Sequence, residues 1–391
     1  MKPYECHPIM KKAMDDLNVH IPNRCIGIHG KLYDVQHFQK NHPGGIEWIL
    51  TCKGTDATAL FENMHLNSKL AKFQLEKIPC IGTYTPRLTW DFEGYRQIKS
   101  DMLTIFPTRS SRKHTSFRFQ CWCILAFSAH LYLLSCQTID KVWYISLIFS
   151  AICNSIIGGF GHNYIHFLDK KSMALDWNGL SSFEWILEHV ISHHCHTNLK
   201  HDHDSISMLP FVNWNKKTWT NLLIFPLFFI GELVVALQGY LGHRCRWYPF
   251  LRKEYSLWIR FSPFVFLIRI TSHFLFQSPI VGLSSILLTL MIASFYFSYL
   301  AHLNHAFEAS QTYNFLDHQL GSTGDLKSLP ILNDLLLGLD RQTLPHLFPT
   351  IDHSLLDIHT RNRLQYKTKN SAFVQHSFMH MNYVMFKRLF P

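Results

Sequence analysis

Charge is scarce in this 391-residue chain. Asp, Glu, Lys and Arg make up 16% of it, against roughly 25% in soluble domains. With hydrophobic residues at 47%, that scarcity argues for a protein that meets a membrane. Paired cysteines are lacking too. The ten cysteines are scattered with no CxxC pair, which speaks against a disulfide framework. Cys121, Cys123, Cys136 and Cys153 lie in apolar runs and read as free thiols of a reducing compartment. The opening MKPYECHPIMKKAMDD lacks the roughly 7–15-residue apolar core of a signal peptide, so residues 1–117 are expected in the cytosol. What the chain has instead is histidine: 26, against 27 carboxylates. Imidazole is the commonest metal ligand and titrates near neutral pH. The formal charge is +10. Beside long apolar runs, this basic excess fits cytosolic loops facing an anionic leaflet better than nucleic acid.

Near the front, CIGIHGKLYDVQHF (25–38) reads as a β-hairpin turning at His29-Gly30. His42-Pro43-Gly44-Gly45 follows, and its glycines permit a tight turn close to a flat ligand. A second histidine, His65, comes 23 positions after His42. Between them Ile46, Ile49, Leu50, Leu60 and Phe61 suit short helices walling an apolar slot. Imidazoles on opposite walls of such a slot would bind haem iron from both sides. The segment resembles a cytochrome b5 domain in Gly30-Lys31-Leu32-Tyr33-Asp34-Val35, His42-Pro43-Gly44-Gly45, Gly54-Thr55-Asp56-Ala57-Thr58, His65 and the closing strand CIGTY. Cys25 stands where that family usually carries Trp. The resemblance implies haem b held by His42 and His65, carrying electrons rather than binding oxygen.

Five stretches approach the ~20 residues that cross a bilayer: about 119–136, 142–160, 219–239, 258–277 and 279–301. Arg109, Arg112, Lys113 and Arg118 hold the first end in the cytosol, and Arg244, Arg246, Arg252, Lys253 and Arg260 mark 243–260 as cytosolic. QTIDK and FQSP suit lumenal turns. For the histidines to meet, 219–239 is expected to be interfacial, or to dip and return, while the others form two hairpins. Both termini and every histidine cluster then face the cytosol. The alternative of five spans would strand part of the cluster in the lumen.

His162 and His166 stand four apart, on one helical face. The helix begun by the Ser181–Glu184 capping box carries His189 and His193, also four apart, with His194 turned partly aside. His305 follows Asn304 just past a span, and Gln342 and His346 are again four apart. Imidazole suits iron, zinc and copper, and more than six ligands require at least two ions.

Residues 118–360 resemble a membrane fatty acid desaturase. With the front domain, the chain resembles the cytochrome b5-fused, front-end type, and most closely the cytochrome b5-related proteins of arthropods. The motifs are His162-Asn-Tyr-Ile-His166, His189-Val-Ile-Ser-His193-His194 with the Asp202/Asp204 region after it, NHAFE at 304–308, DHQLGSTGD at 317–325 and HLFPT at 346–350. The resemblance implies two non-haem irons held by His162, His166, His189, His193, His194, His305, Gln342 and His346. It also implies O2 as co-substrate, a fatty acyl substrate on CoA or lipid, and electrons from an NADH-cytochrome b5 reductase at the endoplasmic reticulum. One departure stands out. The third motif of the family is Gln-x-x-His-His, and here it reads Gln342-Thr-Leu-Pro345-His346. Within a helix Pro345 would also clash with the Arg341 carbonyl and kink the segment. His318 and His353 are candidate substitutes. His196, His201 and His203 are expected outside the metal set.

The expected architecture is a small α+β haem-binding domain over 18–86, a linker over 87–117, an all-α multi-span membrane domain over 118–360 and a cytosolic tail over 361–391. The expected function is acyl desaturation. A hydroxylase on the same scaffold, or an electron-transfer protein whose iron site has decayed at Pro345, are the alternatives. Basic residues 244–260 read as topogenic and equally as a contact for a CoA phosphate.

Overall fold

The computed structural model describes residues 21–86, 88–113, 116–199, 202–206, 211–238, 255–308, 312–327, 338–368 and 373–391. Residues 18–20, His201, the basic residues Arg244 to Lys253 and positions 369–372 lie outside the described residues.

Strands β1 (Cys25–Ile28) and β2 (Lys31–Asp34) pair antiparallel, and β3 (Cys80–Thr83) adds to the far side of β2. The hairpin turn is the expected one. His29 and Gly30 have φ of 50° and 75°, the left-handed pair that lets a two-residue turn follow the strand twist. Helices Ile46–Cys52 and Thr58–Met64 stand beyond the sheet. Trp48 and Leu60 join Ile26, Ile28 and Val35 in the core.

The stretch expected as a linker carries a 13-residue helix, Glu93–Ile105, with Tyr95 and Met102 wholly buried. It fastens the front domain to the rest. Asn63 Nδ2 donates to the Tyr95 hydroxyl (3.1 Å) and to the carbonyl of His346 (2.9 Å), and Tyr95 donates to the carbonyl of Leu347 (2.5 Å).

Among the described residues, four helices are long and apolar enough to cross a membrane: Phe117–Ser135, Lys141–Ile165, Leu257–Phe276 and Pro279–Asn304. The third is interrupted where Ser262 precedes Pro263. The first two form one hairpin and the last two another, and the two turns lie together. Gln137 Nε2 donates to the Phe276 carbonyl (2.8 Å), and Gln277 Nε2 donates to the carbonyls of Leu133 (2.8 Å) and Cys136 (3.0 Å). The ends bearing His162 and Asn304 therefore share the opposite side. In the fifth apolar stretch the described residues form the helix Ile224–Gln238. It runs along Pro279–Asn304, where Ser294 Oγ donates to the Phe228 carbonyl (2.9 Å).

The expected all-α membrane part is helical save for one short parallel pair, Asp325–Leu326 with Gln375–His376. The segment expected as a tail carries helices Ile358–Thr368 and Phe378–Leu389. The second is docked: Met381, Met385 and Leu389 are buried, and Arg388 donates to the carbonyls of His305 and Phe307 (2.8 Å each).

Candidate metal centre

In the front domain, His42 and His65 face one another with ring centres 6.1 Å apart. Each is oriented from behind: His42 Nδ1 by the Gly45 carbonyl (2.9 Å) and His65 Nδ1 by the Phe61 carbonyl (2.8 Å). Donation through Nδ1 leaves Nε2 as the lone-pair nitrogen. An ion bound axially by two imidazoles at about 2 Å holds ring centres roughly 6 Å apart, so the pair fits haem iron. Burial lowers the pKa of both rings, His65 to about 4, which keeps them neutral and able to ligate.

Eight other side chains expected at a metal site come from four parts of the chain, and the fold draws them into two adjacent groups. His162, His166 and His189 form one, and His193, His305 and His346 the other. His194 lies between them. Its Nε2 is 3.2 Å from His189 Nε2, and its ring stacks on His346 with centres 4.1 Å apart. His162 Nε2 is 2.8 Å from the same His189 nitrogen. Gln342 is buried, and its Oε1 has no hydrogen-bond partner.

The second motif departs from the expected α geometry. Ser181 caps as anticipated, accepting from the Glu184 amide (3.3 Å), but Ile186–His193 is a π-helix and the His194 amide bonds back to the His189 carbonyl. The wider i→i+5 turn brings positions four and five residues on to either side of the starting residue. His193 and His194 thus share the His189 face, where an α-helix would turn His194 away.

Carboxylates set the tautomers. Asp202 Oδ2 accepts from His193 Nδ1 (2.8 Å) and Asp204 Oδ2 from His189 Nδ1 (3.1 Å). Asp202 is itself fixed by the amides of Asn198, Asp204 and Ser205. Such carboxylates orient the imidazole and raise its basicity toward a metal. His346 Nδ1 faces Gln319 Oε1 (3.1 Å) and Thr197 Oγ1 (3.2 Å). Burial first, then neighbouring imidazoles, hold His166, His194, His305 and His346 well below the usual imidazole range. His189 is lowered by burial, with Asp204 partly offsetting it. For His193 burial is outweighed by Asp202, and its pKa is raised.

The residues fit bound metal. Both ring nitrogens of His166, Nδ1 of His194 and His305, and Nε2 of His346 are buried without a hydrogen-bond partner. Protein interiors seldom leave such atoms unsatisfied. Above the clusters opens a cavity of about 480 Å³. His162, His189, His305 and Gln342 are among its lining residues, with Trp185 and Phe297 and, from the helix Ile224–Gln238, Leu227, Ile230 and Val234. A mostly apolar lining that includes metal-ligand candidates suits an alkyl chain brought to them.

The expected kink at Pro345 does not arise. The helix begins at Thr343 with Gln342 as N-cap, so Pro345 falls in the first turn, where amides have no helical acceptor. His318 belongs to neither cluster: its Nε2 meets the Thr197 carbonyl (2.9 Å) and its ring packs on Trp90. His196 and His203 stand outside both clusters. The roles of Asp202, Asp204 and Gln319 were not assigned from sequence, although the Asp-His-Asp run closing the second motif is a visible signal for the first two.

Compared with known proteins, residues 15–85 match the cytochrome b5-like heme/steroid binding domain family, and residues 141–377 match the fatty acid desaturase family. The chain is 25% identical over 375 residues to an acyl-lipid (7-3)-desaturase of Rebecca salina, covering 82% of this chain and 79% of that protein. It is 28% identical over 360 residues to a cytochrome b5-related protein of Drosophila melanogaster, covering 84% and 79%. To an acyl-lipid (9-3)-desaturase of Physcomitrium patens it is 25% identical over 399 residues, covering 91% and 72%.

Proposed function

This chain belongs to the fatty acid desaturase family, with a cytochrome b5-like domain fused at its front, and from that premise we propose that it desaturates a fatty acyl chain with electrons relayed by its own haem. The observation that carries this reading is the juxtaposition of two histidine clusters whose residues line a largely apolar cavity. In this reading His162, His166, His189 and His194 serve one iron, and His193, His305, His346 and Gln342 a second. Bound there, two irons supply O2 activation and removal of hydrogen from an unactivated methylene. The balance is that an acyl CH2–CH2 becomes CH=CH while O2 becomes two waters. Two of the four electrons come from the broken C–H bonds and two from the haem, with two protons from solvent.

The protein's own residues do the rest. Asp202 and Asp204 hold His193 and His189 with Nε2 free of protons. Trp185 and Phe297 narrow the apolar walls beside His162, which positions the methylene and excludes water. Asn63, two residues before His65 in sequence, bonds the His346 carbonyl, offering a short connection between the haem wall and the metal ligands. NADH through a cytochrome b5 reductase is the electron source in this reading, and the endoplasmic reticulum membrane the location.

The alternative of a decayed iron site would leave no constraint on the remaining ligands, yet the expected histidines still converge. The test is lipid analysis of cells expressing wild type, His194→Ala and Pro345→His, with iron counted in the purified proteins. Wild type is expected to hold non-haem iron and add an unsaturated acyl product, and His194→Ala to lose both. A wild type holding haem iron alone, with only Pro345→His gaining non-haem iron, would sink the reading. A hydroxylated product would replace it with the hydroxylase.

A further inference from the structure

The third histidine motif is one imidazole short, at Pro345. The next histidine along the chain after His346 is His353, and the fold turns it back toward the first cluster. We infer that His353 is a ligand of the metal bound by His162, His166 and His189, supplying from outside the three motifs an imidazole that the third one lacks. This rests on the proposed function and names a residue that neither the motifs nor the two compact triads contain.

Proximity is the first support. The His353 ring centre lies 5.1 Å from that of His166 and 5.5 Å from that of His162. The His162–His166 pair itself is 5.2 Å apart. Imidazoles bound side by side on one ion at about 2 Å hold their ring centres roughly 4.5–5.5 Å apart, so His353 stands at ligand spacing from two members of the cluster.

Satisfaction is the second. His353 is 5% exposed, and its Nε2 is buried with no hydrogen-bond partner. A histidine placed here only for packing would ordinarily find a donor or acceptor for that nitrogen. His318, the other spare histidine, does so at the Thr197 carbonyl. An unpartnered ring nitrogen on an imidazole packed against His162 and His166 matches a metal ligand instead.

Positioning is the third. Asn163, inside the first motif, clamps the segment that carries His353. Its Oδ1 accepts from the His353 amide (3.1 Å), and its Nδ2 donates to Asp352 Oδ2 (2.9 Å). Asp352 is also tied through its amide to the Arg112 carbonyl (2.9 Å). Asn163 therefore fixes His353 relative to His162 and His166, its neighbours on the same helix. Both sides of a first-cluster metal would be held as one unit.

The test uses full-length protein in detergent, stripped by chelator and titrated anaerobically with ferrous iron, with haem absorbance reporting that the chain is folded. Wild type is expected to take up two non-haem irons per haem. His353→Ala is expected to take up one, or to bind the weaker iron at least tenfold less tightly, with its haem spectrum unchanged. His353→Gly should regain the lost iron when imidazole is added, a rescue that a packing role would not produce. Should His353→Ala misfold, His353→Leu, which preserves bulk without a ligating atom, provides the same comparison. Two irons bound with wild-type affinity in a folded His353→Ala or His353→Leu overturns the inference alone. A wild type that takes up no non-haem iron overturns it together with the proposed function.

Discussion

Asp202 and Asp204 do similar work in different settings. Asp202 is fully buried, and its oxygens accept from three amides besides His193. The Asp204 side chain is 31% exposed, so water can replace part of its role. Asp202→Asn should therefore weaken metal binding by roughly 10- to 100-fold, measured by chelator competition, and Asp204→Asn by less. Equal, negligible effects would show that tautomer control lies elsewhere. His65 supports a pH prediction. Its folded pKa is lowered by burial to about 4 from 6.5, so between those values the unfolded chain binds the extra proton. Stability of the haem-free protein is then intact above pH 6.5 and falls as pH drops through the window toward 4, by on the order of 3 kcal/mol. Thermal unfolding should display that slope, and His65→Gln should flatten it.

At the scale of elements, the helix Thr58–Met64 is the joint between the cytochrome b5-like domain and the histidine clusters. Glu62 accepts from Arg96 (2.5 Å) and meets His29 (2.9 Å) and Lys99 (3.2 Å). Lys99 also donates to the carbonyls of Glu62 and His65. Burial alone would raise the Glu62 carboxyl, but these partners hold it well below the usual range. Its contribution is present above pH 4.5 and fades as pH falls below that. Glu62→Gln leaves Lys99 buried without its counter-charge and should lower stability by about 3 kcal/mol. Asn63→Leu removes the bonds to the His346 carbonyl and to the Tyr95 hydroxyl. It is expected to slow reoxidation of the haem in the presence of substrate and O2 while leaving the haem potential unchanged, as stopped-flow absorbance and redox titration would record. An unchanged reoxidation rate would remove Asn63 from the electron route.

For the whole molecule, two hairpins whose turns meet at Gln137 and Gln277 put the histidine-bearing ends on one side. In a membrane this arrangement predicts tags at residues 5, 175, 250 and 385 on the cytosolic face, and a glycosylation acceptor engineered at 138 modified in the lumen. A lumenal tag at 250 would mean that 219–239 crosses, which would part His305 from His193.

Much of this was legible in the chain itself, because it is encoded locally. The His29-Gly30 turn, the Ser181 cap, the apolar lengths and the pairs four apart each follow from the geometry of a few neighbouring residues. Helix type inside the second motif was not: a π-turn differs from an α-turn by one residue of hydrogen bonding, and tertiary packing decides between them. Nor was the partition of ligands. His193 meets His305 across 112 positions, and spacing says nothing about which helix end lies opposite which. Pro345 looked disruptive by composition and proves benign by placement, since only the start of the helix at Thr343 puts it in the first turn. The sequence determined that this protein gathers imidazoles beside membrane-length apolar helices and behind a cytochrome b5-like domain. Which carboxylate faces which ring, and where His353 comes to rest, depended on segments distant in the chain being packed together.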